Sequence, residues 1–131
     1  MQPDPPALLR LRRLWQDYQV EPFPREPDGV DEDLYSRFIH EDASLAGRVS
    51  TFLDNVESGR PPLSGSMNVP FLSLDSSTDD ALVDGRPTTA RDRERLEELR
   101  AQRRAMIELA ETLSEASGLP LVRRDERDLW G

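Results

Sequence analysis

The sequence predicts a mostly α fold, a small helical bundle of about four helices with one long C-terminal helix and a long irregular insert. Three observations predict it. Residues 88–117 hold an unbroken helical pattern. Three earlier stretches, near 5–19, 31–40 and 43–58, place apolar residues at helical spacing. Between them and the long helix, residues 59–87 are dominated by Gly, Pro, Ser and Asp and hold no period. The 131 residues fit a single domain, with an extended tail over 119–131.

The long helix carries its own start and stop. Thr88 and Thr89 offer hydroxyls to the first free amides, and Asp92 suits the positive end of the dipole. Gly118 and Pro120 end it in the usual order of left-handed cap and breaker. Leu96, Leu99, Met106, Ile107, Leu109, Ala110 and Leu113 share roughly 160° of its circumference, so it faces one apolar surface. Positions 96, 99, 103, 106, 110 and 113 also form a coiled-coil seam. At roughly 45 Å the helix outruns a compact domain about 30 Å wide. Either two shorter helices line up along it, or a second copy of the chain covers its 96–113 face as a homodimer. Arg103 interrupts the seam. The expected arrangement lays its stem on the core with its head in water, the other being an ion pair that fixes register.

The remaining helices follow in order. Asp4 caps a first helix that Pro5 opens, and Leu8, Leu11, Leu14, Trp15 and Tyr18 form its core stripe. Arg10, Arg12 and Arg13 lie off that stripe and are expected to pair with nearby carboxylates. Pro22, Pro24 and Pro27 make 21–29 an extended connector anchored by Phe23. Asp31, Glu32 and Asp33 open a second helix with Leu34, Tyr35, Phe38 and Ile39 on its apolar face, and His40 is placed at its end. A third is expected to start after Asp42, with Leu45, Val49, Phe52, Leu53 and Val56 inward and Gly59, Pro61 and Pro62 as its stop.

Within the insert, Met67, Val69, Phe71, Leu72 and Leu74 form an apolar island, followed by the polar, acidic spacer 75–80. The island is read as a flap over the helices or as a segment offered to a partner. Leu119–Val122 and the terminal Leu129 and Trp130 are two more docking segments.

Composition removes much chemistry. There is no Cys, so no disulfide, thiolate nucleophile or Cys-based zinc site. All 17 basic residues are Arg, which leaves no Schiff-base lysine and no lysine for a nucleotide phosphate. One His cannot build a His-rich metal site, and no serine sits in a nucleophile-elbow motif. Asp75, Asp79 and Asp80 lack the EF-hand spacing. No cofactor is expected. The net charge of −9, spread as −5 over residues 1–65 and −4 over 66–131, opposes nucleic-acid binding and suits a basic protein partner. No apolar run reaches membrane-span length, and the opening residues show no secretory h-region, so a cytoplasmic location is expected.

The expected function is therefore that of a non-catalytic interaction protein: an adaptor, accessory subunit or inhibitor of a basic partner. Its partner-binding residues would be Met67, Val69, Phe71, Leu72, Leu74, Leu129 and Trp130. The alternative is Mg²⁺-dependent hydrolysis of a phosphate-containing small molecule on the helical pairs Glu94/Glu97 and Glu108/Glu111. These resemble the helical acid pairs of all-α nucleotide pyrophosphatases, a resemblance confined to these residues with no matching pair on a second helix. The pairs lie opposite the apolar stripe, where solvated acids are ordinary.

Overall fold

The computed structural model describes residues 5–18 and 32–124. Its elements are α1 (Pro6–Asp17), α2 (Glu32–Ser58), a 3-10 turn (Gly65–Met67), β1 (Leu72–Asp75), α3 (Ser76–Asp84), α4 (Ala90–Ser117) and β2 (Leu121–Arg124). The fold is mostly α, and α4 is the long C-terminal helix that the pattern predicts. The Thr89 hydroxyl accepts the Asp92 amide at 3.1 Å, and Gly118 ends the helix at φ +80°. That left-handed conformation is open to glycine without a Cβ penalty. The expected Asp4 cap, the 21–29 connector, the Asp31 helix start and the Leu129–Trp130 segment lie outside the described residues.

Three expectations are corrected. The second and third helices are one helix of 27 residues. Tyr35, Phe38, Asp42, Leu45, Val49 and Phe52 follow steps of three and four without interruption, so the seam passes through the supposed break. Asp42, after which a third helix is expected to start, is a buried member of that seam, 1% exposed. His40 consequently stands in mid-helix, not at an end.

The insert is not irregular throughout. The acidic spacer is the start of α3: Asp75 is its N-cap, and its carboxylate accepts the Ser77 amide at 2.9 Å and the Ser77 hydroxyl at 2.6 Å. Asp79 then sits in the first turn, where the dipole favours an anion. Before it, Leu72–Asp75 forms a strand parallel to Leu121–Arg124, in the register Leu72↔Leu121 to Asp75↔Arg124. A parallel pair needs a long crossover, which α3 and α4 provide.

The third correction concerns the seam of α4. Leu96, Leu99, Arg103, Met106, Ala110 and Leu113 are all 3% exposed or less within a single chain. Contacts from α1, α2, α3 and both strands cover this face, which leaves no apolar seam at 96–113 for a second copy. Leu8 and Leu11 of α1 join the same core, with Phe38, Val49 and Phe52 of α2.

Candidate functional site

Two features stand out: a buried charge cluster and an open cleft. The cluster forms where α2, β1, α3, α4 and β2 converge. Arg103 does not snorkel; its side chain is 4% exposed. Its Nε donates to Asp79 Oδ1 at 2.5 Å, one terminal nitrogen to Asp75 O at 2.8 Å, and the other to Glu41 Oε1 at 3.4 Å. Glu41 also accepts the Asp75 amide at 2.8 Å and the Thr78 hydroxyl at 3.1 Å. Burial raises the Glu41 carboxyl above its ordinary value, against the opposing pull of Arg103. Arg123 of β2 closes onto Asp79, and Arg37 lies 3.6 Å from Asp75.

The acids here are committed to arginines, amides and hydroxyls. Among the described residues no group of three or more metal-ligating side chains is arranged to hold an ion. The cluster ties the insert to both long helices, which is structural work.

A second polar contact ties α1 to α2. The Tyr18 hydroxyl donates to Asp42, and Gln102 of α4 donates to the same oxygen at 3.3 Å. Burial first, and the Asp42 hydrogen bond second, push the Tyr18 hydroxyl above its ordinary value.

The cleft lies between the outer side of α2 and the segment 69–74, and encloses about 700 Å³. Small residues on α2 (Ala43, Ser44, Gly47 and Thr51) leave one wall low, and Val69, Phe71 and Ser73 form the other. A volume of this order matches ligand-binding clefts. Arg48 crosses it at one end, donating to Phe71 O at 2.8 Å and Val69 O at 3.2 Å. Burial lowers the Arg48 guanidinium from its usual value, and among the described residues no carboxylate offsets it. At the other end Glu41 spans from α2 to the Asp75 amide.

The expected docking residues divide on this geometry. Met67, Leu72 and Leu74 are buried at 0%, 2% and 2%, so these side chains serve the chain's own core. Val69 is 43% exposed and Phe71 half-buried at the cleft rim. The 119–122 segment is not a free strand, since Leu121 and Val122 pair with β1.

The acid pairs of α4 stand on its open face: Glu97 and Glu108 are 65% and 51% exposed, and Glu94 and Glu111 are exposed as well. Glu97 pairs with Arg100 at 2.5 Å, and Glu108 with Arg10 of α1 at 3.4 Å. Arg10 thereby finds the carboxylate expected for it.

Sequence reasoning missed Gly47, Arg48 and Ser73. A glycine inside a helical stretch was the available signal for the first. For Arg48 and Ser73 no local signal existed, because the cleft they line forms only where α2 meets residues 69–74. No protein-family model matches the chain, and the comparisons with curated proteins and with solved structures found no match. Among the described residues no helix is long and apolar enough to cross a membrane.

Proposed function

We propose that this chain is a non-catalytic protein-interaction module, an adaptor, accessory subunit or inhibitor, which docks its partner in the cleft between α2 and residues 69–74. The observation that carries the reading is the cleft itself: about 700 Å³, bordered by exposed Val69 and by a helix wall of small residues. Exposed apolar surface gathered in a groove is a mark of interaction sites. The charge of −9 favours encounter with a basic partner through long-range attraction, which salt would weaken.

The test is affinity capture with three baits: the native chain, Gly47→Leu and Val69→Asp. A stoichiometric partner held by the native chain and lost from both variants supports the reading. A partner held equally by all three would move the interface elsewhere, and turnover of a substrate by the purified chain would replace the reading altogether.

A further inference from the structure

We propose that the cleft captures a chain terminus: the last, apolar residue of the partner enters between α2 and β1, and its free carboxylate meets Arg48. The inference rests on the docking reading above and names the chemistry of the docked segment.

Strand geometry gives the first argument. The Leu72 amide donates to Pro120 O, so Leu72 and Leu74 turn their backbone groups toward β2. Backbone direction alternates along a strand, so Phe71, Ser73 and Asp75 turn theirs toward α2. Arg48 occupies Phe71 O, and Glu41 occupies the Asp75 amide. Between them the N–H and C=O of Ser73 face the cleft, with no partner on that side among the described residues. The open edge is thus one residue long, within the roughly 13 Å that separate residues 71 and 75. A strand running through would collide with both crossing side chains. A chain that ends at Arg48 has only one crossing side chain to clear, Glu41, where a strand running through has two.

Charge gives the second argument. Arg48 is a partly buried cation with no carboxylate partner among the described residues, and its Nε is buried without an acceptor. Its terminal nitrogens hold more N–H donors than the Val69 and Phe71 carbonyls use. A carboxylate beside it would supply the missing counter-charge and form charge-assisted hydrogen bonds. Because Arg48 lies at the Phe71 end, the captured chain runs antiparallel to β1, with an upstream residue exchanging hydrogen bonds with Ser73. A free terminus also suits a partner that is otherwise basic.

Gly47 gives the third. It lies inside α2, where glycine is unfavourable by about 1 kcal/mol relative to alanine. No positive φ requires it there, and a Cβ would meet nothing within 4 Å. What its missing side chain provides is space in the cleft.

The test presents random hexapeptides in two displayed libraries, one with a free carboxy terminus and one embedded within a longer chain. Enrichment is expected from the free-terminus library, with an apolar last residue. The selected peptide as a free acid should bind roughly tenfold or more tighter than its amide. Arg48→Gln should erase that difference and Arg48→Lys restore part of it. Gly47→Leu, which fills the cleft without touching Arg48, should abolish binding. Enrichment from the embedded library alone, lost in Gly47→Leu, would overturn capture of a terminus while leaving the docking cleft in place. Equal affinity of acid and amide would do the same. No enrichment from either library would overturn both readings.

Discussion

Arg103 of α4 and Glu41 of α2 meet at 3.4 Å inside the protein, where neither head group reaches bulk water freely. Each stands in or beside a seam of apolar residues, so their pairing locks the two long helices in one register. Asp79 brings α3 to the same guanidinium, and the Asp75 carbonyl brings β1. Removing Arg103 leaves Glu41 and Asp79 without their shared cation. Arg103→Leu is expected to cost about 3–5 kcal/mol, the range for breaking one side of a buried pair. Arg103→Lys keeps the charge but loses the planar fork that reaches three acceptors, so it should recover only part of that loss. Urea denaturation of the three proteins measures both. Equal stability of the native chain and Arg103→Leu would show that the cluster is dispensable.

Glu41 has a pH signature. Burial raises its carboxyl above the ordinary 4.5 in the folded state. Between the unfolded and folded values the folded state binds more protons, so the contribution of this group to stability falls as pH rises through that window. Glu41→Gln cannot titrate. The stability of the native chain minus that of Glu41→Gln should therefore be largest below the ordinary carboxyl value of 4.5 and shrink as pH rises above it. Taking the difference removes the acid response of the other carboxylates. A difference that grows with pH would mean that Arg103 outweighs burial.

The long helices were legible because their signals are local. Thr89, Asp92 and Gly118 mark the ends of α4, and the spacing from Leu96 to Leu113 marks its buried face. Asp42 and Arg103 misled for a shared reason: each is a polar residue within an apolar seam, and only its tertiary partner explains it. Tyr18 and Gln102 reach Asp42; Glu41, Asp75 and Asp79 reach Arg103. α3 was legible in principle, with Asp75 as cap, Asp79 in its first turn and Gly85 after its end. The cleft was not. Arg48 and Phe71 lie 23 residues apart, and nothing in either neighbourhood encodes their contact.

Gly47 separates packing from function. Gly47→Ala adds a Cβ into open space and removes the backbone entropy penalty of a helical glycine. Stability should rise by about 0.8–1 kcal/mol, read as a higher urea midpoint with an unchanged slope. A loss of stability would mean that the helix at Gly47 is packed against something else. Gly47→Leu should be similarly tolerated in the isolated chain, so that its effect on docking reports the filled cleft and not unfolding.

Tyr18 and Asp42 join the end of α1 to the middle of α2. Asp42 is 1% exposed, so losing the phenolic donor leaves a buried carboxylate with one fewer hydrogen bond. Tyr18→Phe keeps the ring and its stacking on Trp15, whose centroid lies 6.1 Å away, and should cost about 1–3 kcal/mol at neutral pH. The advantage of the hydroxyl also depends on pH. In the folded state burial and Asp42 hold it protonated beyond its ordinary 10.0, while in the unfolded chain it ionises near that value. The folded state therefore binds the extra proton, and stability is lost as pH rises above about 10. Denaturation of the native chain and Tyr18→Phe at neutral pH and near pH 10.5 should show the gap narrowing as pH rises. A gap that stays constant would place the hydroxyl in water, with Asp42 held by Gln102 and its other partners.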